Sequence, residues 1–173
     1  SKLANVSIDD FILVEQEYKK KDSGFTDFHP DDYIEHVCKF YNLNEKSVRE
    51  LFFSDDNFKD ALYDDVVPTL KTLSDKFNLG IFSEGFEDFQ LTKLHKSGIM
   101  NFFEKDLTFI FRRKLEESSL ALLPYNCFVV DDNPSVVEAL AKTDNFKTFW
   151  LNRKSNEKDL VCTTIHGLKE LNS

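Results

Sequence analysis

Apolar residues recur every three to four positions through the first third of the chain, then gather into short unbroken runs. That change of period divides the sequence. Ser7-Ile8-Asp9-Asp10 has the form of a capping box, a Ser with an acid three residues on, ahead of Phe11, Ile12, Val14 and Tyr18. Phe25 to Pro30 is a turn-rich break. His29-Pro30-Asp31-Asp32 then opens a second predicted helix carrying Tyr33, Ile34, Val37, Cys38 and Tyr41 at helical spacing. Asn44-Glu45-Lys46-Ser47 starts a third, with Val48, Leu51 and Phe52 as its apolar face.

From about Leu62 helix and strand alternate. Val66 to Phe77 is amphipathic, with Pro68 in its first turn, where a missing N–H costs nothing. Leu79 to Phe82 reads as a short strand ending at Ser83-Glu84-Gly85, and Phe86 to Ser97 as a helix. Leu107 to Phe111 is strand-like and Arg113 to Leu122 helical. Cys127 to Val130 is a buried strand, and a helix follows over Val136–Lys142. Lys147 to Leu151 and Val161 to Thr164 are further strands, before a helical turn at Leu168–Leu171. Strands alternating with helices predict an α/β fold, a doubly wound parallel sheet in three layers. Residues 1–61 are then a helical cap and residues 62–173 the α/β core.

Composition narrows the function. The 173 residues are 41% hydrophobic and 31% charged, as expected of a globular chain with a real core. A net charge of −9 argues against nucleic acid as a partner, which would call for a basic footprint. No stretch has the form of a signal peptide or a membrane span. Cys38, Cys127 and Cys162 are widely spaced in apolar context, odd in number, and read as reduced thiols of a cytoplasmic protein.

The run Cys127-Phe128-Val129-Val130 ends abruptly in Asp131-Asp132, then Asn133-Pro134-Ser135 and the start of a helix. Two adjacent carboxylates repel and call for a neutralising cation, so the pair is a candidate metal site at the carboxyl edge of a sheet. Asx-turn and helix-capping duty is the plainer alternative. Ser83 ends an apolar strand ahead of a glycine turn into a helix. There a hydroxyl and backbone amides can hold an anion's oxygen, or the Ser can simply cap the helix. Arg112-Arg113-Lys114 follows another strand, where a basic residue can offset phosphoryl charge or can be solvated surface.

Taken in order, these features resemble the haloacid dehalogenase-like (HAD) hydrolase superfamily, whose members are mostly Mg²⁺-dependent phosphatases. Leu79-Gly80-Ile81-Phe82-Ser83-Glu84-Gly85 resembles its second motif, Lys114 (or Arg113) its third, and Val129-Val130-Asp131-Asp132-Asn133-Pro134 its acidic fourth. The resemblance spans roughly Tyr63 to Leu151 and implies a small phosphorylated substrate. It implies that Ser83 and Lys114 are catalytic and that Ser83, Glu84, Gly85 and Arg113 bind substrate. Asp132 would ligate Mg²⁺ directly, with Asp131 beside it. A dehalogenase or phosphomutase activity is compatible with the same motifs. A phospho-receiver domain also uses paired acids, but its pair follows the first strand.

The family's first motif, an Asp-x-Asp-x-Thr-like run bearing the nucleophile, is not found in this sequence. The nearest string, Lys2 to Asp9, would put Ser7 at the nucleophile position and Asp9 at that of the acid/base, but its capping-box pattern fits a helix start better. In the family the first strand lies mid-sheet, between the strands bearing the second and fourth motifs. The expectation is therefore a sheet interrupted between Leu79–Phe82 and Cys127–Val130, in a chain inactive as written. The missing strand would come from an N-terminal segment, as part of a longer protein or as a separate piece. A catalytically inactive pseudoenzyme or binding module on the same fold is the alternative.

Overall fold

The computed structural model describes residues 14–18, 28–158 and 161–172. The Ser7 capping box and Phe25 lie outside them. In chain order the described elements are α1 (Pro30–Tyr41), α2 (Glu45–Phe52), α3 (Asp55–Lys59), α4 (Val66–Ser74), β1 (Ile81–Glu84), α5 (Glu87–Lys96), β2 (Thr108–Phe111), α6 (Glu117–Leu120), β3 (Cys127–Asp131), α7 (Pro134–Ala141), β4 (Phe146–Leu151) and β5 (Thr163–Ile165). Short 3₁₀ turns lie at Met100–Phe102, Lys105–Leu107 and Leu168–Asn172.

The chain divides into two compact units, Ser1–Ala61 with Gly85–Gly98, and Leu62–Glu84 with Ile99–Ser173. In the first, α1 begins at Pro30, whose missing N–H would have been unpaired in any case. It ends at Asn42, which takes a left-handed conformation and donates its N–H to Cys38 O. α2 is capped by Asn44, whose side chain accepts from Ser47 N at 3.0 Å. Ile34, Val37 and Cys38 of α1 meet Val14 and Val48 in one buried cluster, with Tyr33, Tyr41, Phe52 and Phe53 packed around it. Leu51 does not join this face. It is 52% exposed, because the helix turns Val48 and Phe52 inward.

The α5 helix groups with this unit rather than with the elements on either side of it. The reason is aromatic: Phe86 meets His29 edge-on at 4.4 Å between ring centroids, and Phe89 lies against Phe28 and Phe52 at 5.7 and 6.2 Å. Lys96 also pairs with Asp55 at 2.5 Å. The helical unit therefore takes in a segment far along the chain from residues 1–61.

The second unit is α/β, and every strand pairing in it is parallel. Its strands form two sheets, β1–β2 and β3–β4–β5. Among the described residues no ladder joins β1 to β3. Phe82 of β1 nevertheless packs on the cluster of Val129, Val136 and Leu140 that β3 and α7 build, so the two sheets share a core. Gly80 lets β1 approach the chain before β2, since a Cβ there would sit 2.6 Å from Leu107 O.

The predicted helix over Arg113–Leu122 shrinks to α6, Glu117–Leu120, and Arg112 to Glu116 form an irregular loop. The cap of α6 is Glu116, and its N–H-accepting backbone begins only there, with Ser119 N and Leu120 N bonding Glu116 O at 2.9 and 3.0 Å. All three cysteines are free thiols, and burial pushes those of Cys38 and Cys127 above the ordinary value. No helix among the described residues is long and apolar enough to cross a membrane.

Candidate functional site

Parallel strands align their carboxyl ends, so the ends of β1, β2 and β3 bring the singled-out residues to the edges where ligands of α/β sheets are held. Asp131 is the last residue of β3 and is 9% exposed. Its Oδ2 takes the Lys114 ammonium at 2.5 Å, and its Oδ1 accepts from Asn133 N at 2.9 Å. Both carboxylate oxygens of Asp131 thus have partners within the protein. Lys114 is itself nearly covered, with 12% of its side chain exposed, and its ammonium lies 5.2 Å from the centre of the Phe82 ring.

Asp132 differs from its neighbour in each respect. It lies just past β3 and is exposed. Its backbone carbonyl, rather than its carboxylate, is held by the protein: Trp150 Nε1 donates to Asp132 O at 3.1 Å. Trp150 stands beside Asp131 in the β3–β4 register, so the indole fixes the turn while the Asp132 carboxylate stays at the surface. Asn133 caps α7 by accepting from Ser135 N at 3.0 Å, so capping duty falls on Asn133 and not on either Asp.

Ser83 lies inside β1, one residue before its end, between Phe82 and Glu84. Those two neighbours both touch Lys114: Phe82 through its ring, and Glu84 through Oε2, which accepts from Lys114 N at 2.8 Å. Gly85 leaves the strand at φ +139°, a region that side-chain-bearing residues rarely adopt. Arg113 turns its guanidinium to Arg112 O at 2.5 Å, and its own carbonyl accepts from Ser119 Oγ at 2.9 Å. The loop from Arg112 to Glu116 is thus braced from β1 and from α6, and it delivers Lys114 to the end of β3.

Sequence reasoning singled out Lys114, Asp131 and Asp132, and the structure brings the first two into contact across 17 positions of sequence. It expected Glu84 to bind substrate, where the structure has it accepting from Lys114 N, and it missed Ser119 and the indole of Trp150. The Glu84 and Trp150 contacts leave no pattern in the sequence, because each joins segments separated by a helix, and the local Ser119–Arg113 bond ends in a loop that has no periodicity.

Carboxylate oxygens suit a hard ion such as Mg²⁺, which binds through one or two carboxylates and keeps other positions for water or phosphate. The chemistry of the Asp131–Asp132 turn fits that ion through Asp132. Among the described residues, however, no group of three or more His, Cys, Asp or Glu side chains gathers as a metal site. A complete shell would need oxygen ligands from elsewhere.

No family profile and no curated protein matches the chain. Among solved structures it is similar to a HAD phosphatase from Thermococcus onnurineus, at 19% identity and a TM-score of 0.62, over 95% of this chain and 78% of that one. It is also similar to the HAD-hydrolase YfnB from Bacillus subtilis, whose structure was determined bound to magnesium. That match has 16% identity and a TM-score of 0.57, over 92% of this chain and 76% of that one. The fold is the α/β fold of HAD-type hydrolases.

Proposed function

We propose that the α/β unit is the phosphoryl-transfer core of a Mg²⁺-dependent phosphatase of the HAD type, cytoplasmic and acting on a small phosphorylated metabolite. The observation that carries the proposal is the contact between Lys114 and Asp131, which joins the third-motif cation to the fourth-motif acids at the end of a parallel sheet. In this reading Ser83 and the backbone after it hold phosphoryl oxygens, and Lys114 offsets their charge. Asp132 is the carboxylate that would hold Mg²⁺, with Asp131 orienting Lys114 beside it. Bound there, the ion would supply Lewis-acid stabilisation of phosphoryl charge.

The nucleophile belongs to a strand outside this sequence. Two observations support that part of the proposal. No ladder joins β1 to β3 among the described residues, although the two strands share a core. A strand seated between β1 and β3 would join the two parallel sheets into one. Parallel sheets are also ordinarily covered on both faces. Here Phe128 of β3 is 57% exposed and Phe77 50% exposed, side by side at 6.1 Å between centroids. A strand carrying an Asp, followed by a helix over this aromatic face, would complete the unit. That Asp would attack phosphorus as the P–O bond to the substrate breaks and its alcohol leaves, and water would then cleave the aspartyl phosphate to inorganic phosphate and the free carboxylate.

The test is turnover of an aryl phosphate with Mg²⁺ by protein expressed from the whole reading frame, beside the 173-residue chain and Asp132→Asn. Turnover by the longer protein alone, abolished by Asp132→Asn, is the expected result. A folded longer protein without turnover would favour the binding-module reading. Turnover by the 173-residue chain at its intact mass of 20.2 kDa would remove the need for an incoming strand.

A further inference from the structure

Glu84 holds a carboxylate at the place where a phosphatase would be expected to concentrate positive charge, and the contacts of that carboxylate explain its presence. Its Oε2 accepts from the backbone N–H of Lys114 at 2.8 Å, across 30 positions of sequence. The loop it reaches is irregular from Arg112 to Glu116, and within it Glu116 N donates to Arg113 O at 3.4 Å. Ser119 Oγ secures the preceding carbonyl, that of Arg113, at 2.9 Å, and Ser119 is only 7% exposed. The peptide unit between Arg113 and Lys114 is therefore clamped on both sides, its carbonyl by α6 and its N–H by β1.

A lysine side chain is long and loses much rotamer freedom when fixed. Setting its backbone in place limits where the ammonium can reach. From this clamped position Lys114 passes over the Phe82 ring to Asp131 Oδ2, so two successive outward contacts of β1, Phe82 and Glu84, guide one lysine. A hydrogen bond from an amide to a charged carboxylate is stronger than one to a neutral acceptor, which suits a contact that must order a loop.

We propose that Glu84 is a positioning residue: its carboxylate fixes the Lys114 backbone so that the Lys114 ammonium falls on Asp131. The assignment of Lys114 to phosphoryl charge rests on the phosphatase reading above, but the positioning itself can be measured without turnover. The experiment records ¹H–¹³C spectra of the whole protein labelled at the lysine ε carbon, with the Lys114 signal assigned by Lys114→Arg. Placed over the Phe82 ring, that signal is expected to lie apart from those of the solvent-exposed lysines. In Glu84→Ala it should collapse onto the exposed set, whereas in Glu84→Gln, whose amide oxygen can accept from the same N–H, it should stay displaced.

A displaced Lys114 signal that survives Glu84→Ala overturns the proposal, as does its loss in Glu84→Gln with the protein folded by circular dichroism. Should Glu84→Ala fail to fold, Glu84→Leu keeps the bulk without the acceptor and carries the same expectation. The two readings also fail separately. A protein with no phosphatase turnover can still show the Glu84-dependent signal, and an active one can lack it.

Discussion

Two nearly buried ion pairs lie in the α/β unit, and they divide its work. At β4 and the C-terminal turn, Arg153 Nη2 donates to both oxygens of Asp65 at 2.8 and 3.0 Å, and Leu168 N donates to the same carboxylate at 2.7 Å. The guanidinium also stacks 4.2 Å from the centre of the Tyr63 ring. This pair ties the start of α4, the loop after β4 and the chain's last turn together. At β3 the Lys114–Asp131 pair is a single point contact with one further backbone bond, beside an exposed Asp132 and, among the described residues, no ladder to β1. The first region has its polar groups matched by protein partners. The second leaves the Asp132 carboxylate exposed. A region built for stability is closed, and one available for chemistry is not.

The largest expected effect breaks the closed pair. Asp65→Ala strands the Arg153 charge and the Leu168 amide, and should lower stability to urea by about 3 kcal/mol, the low end for severing a buried pair because both side chains remain 17% exposed. The same pair gives a pH test. Burial raises the Asp65 pKa, but the hydrogen bonds from Arg153 and Leu168 outweigh it and hold the group below its usual 3.8. The contribution is full above that ordinary value and is lost as pH falls through the lowered one. Urea midpoints followed from roughly pH 5 to pH 2 should fall more steeply for the native chain than for Asp65→Asn.

The open pair should cost less to break. Lys114→Met strands one carboxylate, which keeps its bond from Asn133 N, whereas Asp65→Ala strands a guanidinium and an amide together. The loss should therefore be about 2 kcal/mol in the same urea experiment, although the Lys114 pair is the more buried. A loss larger than that of Asp65→Ala would reverse the comparison. Gly85→Ala should cost about 1 kcal/mol or more, since φ is +139° there and the new methyl would meet Gln90 Nε2. The smallest effect is that of Asp132→Asn, which should change stability by less than about 0.5 kcal/mol, because its exposed carboxylate has no packing role. If Asp132→Asn instead unfolds the chain, the carboxylate is structural and the contrast with Asp131 fails.

Much of this was legible in the sequence. The alternation of periods placed α1, α2, α4, α5 and all five strands to within a few residues. Hydrophobic period reports which face of an element is buried, and burial is what local patterns encode. That no ladder joins β1 to β3 among the described residues was also expected, from the resemblance and the lack of its first motif. The loop at Arg112–Glu116 was not, since charged residues at helical spacing fit a helix start as well as a braced loop. The short α3 helix left no apolar stripe to find; none of its residues is buried.

The sequence by itself determined the α/β alternation, the Asp131–Asp132 turn at a strand end, and the charged residues that stand at the strand ends. Only the tertiary structure decided how those residues divide their tasks. Asp131 became the partner of Lys114 and Asp132 the exposed carboxylate, although the two are adjacent and identical in kind. The physical reason is that the strand ends between them: Asp131, the last residue of β3, keeps its carboxylate buried against Lys114, while Asp132 lies in the turn beyond it and is exposed. That division depends on contacts spanning 17, 18 and 30 positions, from Lys114 to Asp131, Trp150 to Asp132 and Glu84 to Lys114, which no local pattern records.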